Sequence, residues 1–325
     1  MSSERTLWGL GLMTIASGGI DPGEAGSESA GTVLDAWFPE LGFGEMDASG
    51  AAALEQFVGA DDRRVVRCET VQLSIDLDAP VASTPDAYLR LHALSRLLVR
   101  PNELNLEGIF AHLPTNAWTN AGPMLPADAA RLRPALLRKG IQVQGLDKFP
   151  RLTDYVQPEG VRIADASRVR LGAHLSPGTT VMHEGFVNFN AGTLGPAMVE
   201  GRISQGVVVG ADSDLGAGAS IMGTLSGGGS HRVAIGERTL LGANAGIGIS
   251  LGDDSVVEAG LYVTAGSKIV LSDGPVDANG AKPTVKAAEL SGRPGILFWR
   301  NSLTGAIEAK SRTGAGVTLN DALHA

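Results

Sequence analysis

Six histidines, a single cysteine and one glycine-rich run are where chemistry would first be sought in these 325 residues. A zinc centre needs three or four side chains converging on one ion. His174, His183 and His231 fall in the repetitive half of the chain, but each also reads as an ordinary corner or surface residue. Cys68 stands alone, which excludes an intramolecular disulfide, and no Ser-His or Cys-His motif accompanies it. The run TLSGGGSHR, Thr224–Arg232, invites a phosphate-cradle reading, yet it lacks the G-x-x-x-x-G-K-[ST] order and no helix follows it. Two readings stay open for it: a flexible hairpin excursion, or a loop that touches substrate. What remains is acid–base work by a carboxylate or a histidine.

The elements that must position such groups announce themselves after about Glu159. Ile163, Val169, Leu175, Val181, Val187, Thr193 and Val199 recur every six residues, and all but Thr193 are aliphatic. A second block runs Val209, Leu215, Ile221, then Ile235, Leu241 and Ile247, and a third runs Leu251, Val257, Val263 and Ile269. Six is neither a helical nor an ordinary strand period; it is the hexapeptide signature of a parallel β-helix. Each six-residue rung is a short flat strand plus a sharp corner, and three rungs close one triangular coil. One aliphatic side chain per rung fills the narrow axis, and small residues serve the corners. That explains 44 glycines beside only 5% aromatic residues. In hexapeptide proteins the coil is left-handed, an exception to the usual crossover rule. The fourteen residues from Ile221 to Ile235 read as two hexads plus a two-residue excess, so a loop interrupts the coil there.

The first 150 residues read as an α/β domain without evident chemistry. The start WGLGLMTIA is expected to be a strand rather than a secretion signal, because Gly9 and Gly11 cut it and no A-x-A site follows. Val71–Leu77 alternates with period two, so a half-buried strand is expected. Thr84-Pro85-Asp86 opens a helix that carries Tyr88, Leu91, Leu94 and Leu98 on one face and is closed by Pro101. A second helix is expected over Asp128–Lys139, with Pro134 either kinking it or marking its true start. The expected organisation is an α/β domain (1–150), a left-handed β-helix (151–271) and a small C-terminal β/loop cap (272–325). Within the cap Asp273–Thr284 reads as a loop, Ala287–Gly292 as a helical turn, and Gly295–Arg300 with Gly305–Lys310 as a closing hairpin.

Charge narrows the partners. The formal net charge is −9, which disfavours a nucleic-acid protein. Residues 1–60 hold one base against nine acids, whereas 261 onward holds seven bases against five acids, so a polyanionic ligand belongs toward the C-terminal half. Nothing reaches about 18 uninterrupted apolar residues, so no spanning helix is expected. With one cysteine, a reducing cytoplasm is the expected compartment. Hexapeptide prisms serve as CoA-dependent acyltransferases, zinc carbonic anhydrases or plain scaffolds, so the remaining carboxylate or histidine would act on a bound acyl thioester.

The run RVRLGAHLSPGTTVMHEGFVNFNAGTLGPAMVEGRISQGVVVG, with GASIMGTLSGGGSH and LGANAGIGISLGDDSVVEAGLYVTAG, resembles the tetrahydrodipicolinate N-succinyltransferases, in the subfamily with a long N-terminal domain. The resemblance is dense over about residues 145–325; earlier it is one of outline, as in VLDAWFPELG and WTNAGP. It implies succinyl transfer from succinyl-CoA to the amino group of ring-opened tetrahydrodipicolinate, a step toward diaminopimelate and lysine. The Glu of MVEGR, here Glu200, is then the essential carboxylate, either attacking the thioester or serving as general base on the amine. Arg202 would pair with a carboxylate of the substrate or succinyl group. Ala217, Ser220, Ala243, Glu258, Ala259 and Gly266 would line the CoA groove, and Lys286 with Trp299, Arg300, Asn301 and Ser302 would meet the pantetheine and nucleotide end. Ala217 stands where relatives usually carry Gly. Ser226, Gly227 and Gly228 would cover the amino acceptor. The resemblance also implies a homotrimer with its sites between subunits, so that an isolated chain is inactive. A divalent ion at the trimer axis would use Glu184, but Ser167 replaces the partner Asp. The two lie 17 residues apart and are expected on neighbouring levels, so at most a weak, partly hydrated Mg²⁺ without catalytic role is expected. Two alternatives stay open: the same architecture using acetyl-CoA, and a non-catalytic trimeric scaffold, against which the retained MVEGR argues.

Overall fold

The computed structural model describes residues 5–18, 30–224 and 231–312. The chain divides into two units: 1–93 with 103–150, and 94–102 with 151–325. The connecting segment Leu94–Asn102 therefore belongs to the second unit, although most of the helix that leads into it belongs to the first.

In the first unit four antiparallel strands form one sheet, in the order Val33–Phe43, Thr6–Ala16, Val66–Asp76, Gly59–Asp61. The WGLGLMTIA run is indeed its second strand, and Gly9 and Gly11 have a packing reason. A Cβ at 9 would strike Leu89 and Phe38, and one at 11 would strike the Trp37 carbonyl. A smaller antiparallel sheet places Asn116–Thr119 between Gly122–Met124 and Val143–Asp147. The helix Thr84–Ser95 buries Tyr88, Leu91 and Leu94 completely. It stops before Leu98, which is 39% exposed, because Leu97 turns into the left-handed region at φ 60°. The expectation that the helix runs on toward Pro101 thus fails at one residue whose backbone leaves the helical region. Downstream, Pro126–Arg131 and Arg133–Arg138 are two short helices that meet at Leu132, and Pro134 sits in the first turn of the second. Proline tolerates a first turn, where its missing N–H costs nothing.

The second unit is the prism. One face stacks Arg162–Ile163, Thr180–Val181, Ala197–Val199, Ser213–Leu215, Leu240–Leu241, Val256–Val257 and Ile296–Arg300 in parallel. A second stacks Phe186–Val187, Arg202–Ile203, Ser220–Ile221, Gly246–Ile247 and Tyr262–Val263. A third stacks Ala173–Leu175, Ala191–Thr193, Val208–Val209 and Ala234–Ile235. The register pairs Ile163, Val181, Val199, Leu215, Leu241 and Val257 in turn, so the coil length changes from 18 residues to 16 and once to 26. The short coils arise where Val199 to Ile203 and Ile247 to Leu251 turn a corner in four residues instead of six. The long coil corrects the two-hexad count. Ile221 ends a strand of the second face and Ile235 a strand of the third, so all fourteen residues belong to a single step, and the bridge Thr224–Arg232 closes the base of the excursion.

Inside, Val181, Val187, Val199, Ile203, Val209, Leu215, Leu241, Ile247, Val257 and Val263 are fully buried. Thr193, the one polar member of the series, takes the same inward position between Leu175 and Val209. Its hydroxyl lies 2.7 Å from that of Thr179 and accepts the Ser176 N–H at 3.1 Å, so no buried polar group is left unpaired there. The corners need a left-handed residue. Where it is not glycine it is mostly Asn or Asp, as at Asn190, Asp212, Asn244 and Asp254, whose φ values run from 52° to 59°. The prism ends in the expected hairpin: Ile296–Arg300 pairs antiparallel with Ile307–Ser311, and Lys268–Leu271 and Thr284–Lys286 extend the same sheet. Ala287–Leu290 is a 3-10 turn and Ser272–Pro283 is loop.

One device of this unit had no sequence signal. Asn102 donates its N–H to the Asn190 side-chain oxygen at 2.7 Å, and Asn190 returns a side-chain bond at 3.1 Å. Asn102 also donates to the Gly206 carbonyl, and Ser95 accepts the Gly172 N–H, so Leu94–Asn102 is pinned across two coils.

Candidate functional site

Glu200 is the first residue after the strand Ala197–Val199, on the corner between the first and second faces. Its N–H donates to the Leu215 carbonyl and its own carbonyl accepts from Gly218, so the backbone is fixed on one side by the next coil. The side chain is half-buried. This is one of the four-residue corners, and two residues on Arg202 already lies on the second face, exposed. A carboxylate and a guanidinium are thereby set on adjoining surfaces of one bend.

The next coils have longer corners at the same edge. Asn244 donates to the Ala217 carbonyl and Gly260 to the Ala243 carbonyl, which stacks Ala217, Ala243 and Ala259 in line with Glu200. None of these three projects beyond a Cβ, so the edge is a shallow track leading away from the carboxylate. On the second face the register places Arg202, Ser220, Gly246 and Tyr262 side by side in successive coils. Gly266 and Lys286 come together at the other border of this face. The Ala287 and Ala288 N–H groups donate to the carbonyls of Ser267 and Ala265 and hold the Lys286 strand end there.

The terminal hairpin joins the track through Glu258, whose carboxylate accepts the Arg300 N–H at 2.7 Å. Trp299 is faced by the Lys310 ammonium, 5.5 Å from its ring centre. Asn301 shapes the hairpin turn, because its side-chain oxygen accepts from Leu303 and Thr304 while its amide donates to Glu308. Ser302 is exposed in that turn. The structure therefore brings Glu200, Arg202, Ala217, Ser220, Ala243, Ala259, Glu258 and Arg300 to one edge and face. Gly266 and Lys286 lie across the face, and Asn301 is occupied locally. Ser226, Gly227 and Gly228 lie outside the described residues.

Ser167 and Glu184 lie on neighbouring coils, as their spacing implies, one position out of line. Ile163 pairs with Val181 and Val169 with Val187, so an eighteen-residue coil sets Glu184 level with Ala166 and Ser167 level with Gly185. The Ser167 hydroxyl and N–H both donate to Asp165, which caps the short helical turn Ala166–Arg168, and these bonds hold the Asp165 carboxyl below its usual range. Glu184 is already engaged, by the Arg168 guanidinium at 3.5 Å and by the His183 ring at 3.1 Å. Among the described residues no three metal-binding side chains of one chain gather. Within one chain, therefore, Glu184 is engaged by its neighbours and Ser167 by Asp165. The three prism histidines are also apart: His174 is buried against the Thr193 carbonyl, His183 sits at the Glu184 corner, and His231 is exposed at the base of the excursion.

With this geometry in view, the chain can be set beside known proteins. Residues 232–265 match the family model described as the hexapeptide repeat of succinyl-transferase, and residues 113–151 match the middle region of tetrahydrodipicolinate N-succinyltransferase. Two curated relatives, both 2,3,4,5-tetrahydropyridine-2,6-dicarboxylate N-succinyltransferases, come from Pseudomonas paraeruginosa and Pseudomonas aeruginosa. They are 58% and 57% identical over 250 residues, covering 76% of this chain and 72% of each relative. A crystal structure from Campylobacter jejuni, named as a 2,3,4,5-tetrahydropyridine-2-carboxylate N-succinyltransferase, superposes with a TM-score of 0.77 at 28% identity. It covers 95% of this chain and 93% of its own. The repeat match and this neighbour give the prism its hand: it is the left-handed β-helix of the hexapeptide acyltransferases.

Proposed function

Since the chain belongs to the tetrahydrodipicolinate N-succinyltransferase family and is a CoA-dependent N-acyltransferase acting in diaminopimelate biosynthesis, we propose that Glu200 and Arg202 carry its chemistry, with succinyl-CoA as donor. The observation that supports this assignment is the four-residue corner, which sets a half-buried carboxylate two residues before an exposed guanidinium at the head of the Ala217–Ala243–Ala259 track. An amine attacks a thioester only when its lone pair is free. Glu200 accepts the proton as the C–N bond forms, the C–S bond then breaks, and the CoA sulfur leaves as thiolate. Because the amine is itself a competent nucleophile, one carboxylate base suffices and no acyl-enzyme is needed. Arg202 holds a carboxylate, either the free end of the succinyl group or one of the acceptor's, in a charge-assisted pair.

The acyl-CoA arm follows the small-residue edge. Ser220 lines the second face, Glu258 and Arg300 stand at the far end of the track, and Gly266 with Lys286 borders the face opposite, where Lys286 would meet a phosphate. The working assembly is a homotrimer in the cytoplasm, with neighbouring prisms supplying the other wall. Among the described residues no helix is long and apolar enough to cross a membrane. An ion held by three copies of Glu184 at the trimer axis would be weak and partly hydrated, with no step of this chemistry routed through it.

The test is free CoA release with tetrahydrodipicolinate and either succinyl-CoA or acetyl-CoA, for the wild type and for Glu200→Gln. Succinyl-CoA should be the better donor, and Glu200→Gln should lose at least about a hundredfold in turnover while keeping its trimer mass and CoA binding. Turnover within threefold of wild type would refute the role of Glu200. An acyl-enzyme trapped by hydroxylamine would replace the general base with a covalent route.

A further inference from the structure

Tyr262 is a tyrosine that the packing of the prism does not require. It opens the last strand of the second face, points outward and is 48% exposed, whereas the inward-facing Val263 beside it is fully buried. Its register partner in the preceding coil is Gly246. A Cβ at 246 would collide with Cζ, Cε1 and Cε2 of the Tyr262 ring, so the far end of the ring lies directly on the Gly246 backbone. Gly246 is buried and has no left-handed φ, so no turn demands glycine there. The glycine serves as a notch that lets an aromatic ring lie down along the face, with its hydroxyl end toward Ser220, the next residue in the column.

Resting on the acyl-transfer reading above, we infer that Tyr262 is a positioning residue for the donor, its exposed ring face packing against the pantetheine arm of acyl-CoA. Three residue steps across the sheet separate Arg202 from Tyr262, about 14 Å at the usual strand spacing. With the succinyl carboxylate at Arg202, an extended donor places its thioester near Glu200 and the amide-and-methylene part of pantetheine at the level of Tyr262, beside Ala259. That part of the donor is apolar between its amides and suits a flat aromatic face. Most of the track is alanine and glycine, which gives room without adhesion, so a ring at this level supplies apolar contact that the edge itself lacks. Binding energy gained there, remote from the reacting carbonyl, holds the donor equally in the bound state and at the transition state, so its loss is read in KM.

The experiment compares Tyr262→Ala, Tyr262→Phe and Gly246→Ala with wild type, measuring the KM for succinyl-CoA, the KM for the amine acceptor, kcat, native mass and Tm. Tyr262→Ala should raise the succinyl-CoA KM about tenfold, as loss of a modest apolar contact predicts, with kcat within about threefold and the acceptor KM unchanged. Tyr262→Phe should restore the wild-type KM, since the ring face does the work. Gly246→Ala should raise the same KM by lifting the ring. An unchanged succinyl-CoA KM in Tyr262→Ala would overturn the inference. So would a fall in native mass or Tm alongside the KM change, which would make the ring a packing residue between copies of this chain. Glu200→Gln, run in parallel, separates the two readings. If it loses turnover while Tyr262→Ala keeps its KM, only the role of Tyr262 fails; if it keeps turnover, the site as a whole is misplaced.

Discussion

The two units of this chain are held together in opposite ways. In the first, a few side chains tie many distant backbone groups. Arg90 is 1% exposed, pairs with Asp86 at 2.7 Å and donates to the carbonyls of Asp76, Leu77 and Asn105. One guanidinium thus gathers a strand end, a helix and a loop, and Arg5 and Arg64 do the same on a smaller scale, each pairing a carboxylate and reaching one distant carbonyl. In the prism the same contact recurs at every coil: an aliphatic side chain on its equivalent, and an N–H donating to the carbonyl one coil away. Stability there is a sum of similar nearest-neighbour terms. Damage to the first unit should therefore depend steeply on which residue is hit, and damage to the prism far less so.

Arg90→Met should show the largest loss of stability, about 3–5 kcal/mol, because it leaves Asp86 buried without its cation. Denaturant unfolding measures it, and Asp86→Asn added to Arg90→Met should recover part of the loss. A loss under about 1 kcal/mol would show that Arg90 is not the keystone and would weaken the contrast.

Leu241→Ala in the prism interior should cost about 2–5 kcal/mol through transfer and cavity terms. The sharper expectation is that Leu215→Ala, one coil away, costs nearly the same. Two such values differing by more than about 2 kcal/mol would contradict a sum of equivalent coils.

Asn190→Ala should cost about 1–3 kcal/mol, since alanine tolerates φ 52° poorly and the paired bonds to Asn102 are lost. Faster hydrogen exchange confined to Leu94–Asn102 and the Gly206 corner would locate the effect.

The smallest effect is acidic. Hydrogen bonds from Arg63, with Arg64 adding to them, hold the Asp61 carboxyl well below the usual carboxylate range. A depressed folded value contributes stability that is complete above the unfolded value near 3.9 and is lost as pH falls through the folded one. Asp61→Asn should thus flatten the fall of Tm below about pH 4, and its cost at pH 7 should stay under about 1 kcal/mol because Arg63 is half exposed.

Much of the prism could be read from the order of residues alone. A period of six states which side chain faces inward, and a coil built only from its neighbours leaves the sequence few other solutions. Val199, Leu215, Leu241 and Val257 stack as that period requires, and the MVEGR segment falls on a corner because every rung ends in one. Local repetition is legible because each contact joins residues one coil apart.

What the sequence could not determine was anything that depends on how long a corner is or on what crosses between distant segments. A spacing of 17 does put Ser167 and Glu184 on neighbouring coils, but the offset of one position and the turn of the Ser167 hydroxyl to Asp165 appear only in the folded chain. Fourteen residues from Ile221 to Ile235 fit two hexads as well as one long step, and only strand pairing decides between them. Leu98 had the helical spacing but not the helix, because Leu97 adopts a backbone that periodicity does not register. The tie of Asn102 to Asn190 spans 88 residues, and the glycine notch under Tyr262 exists only once two coils are stacked. The aliphatic series fixes its own neighbours because burial of apolar surface is non-directional and needs only the right period. Hydrogen bonds and ring contacts are directional and exist only at particular distances, so they wait on the assembled backbone.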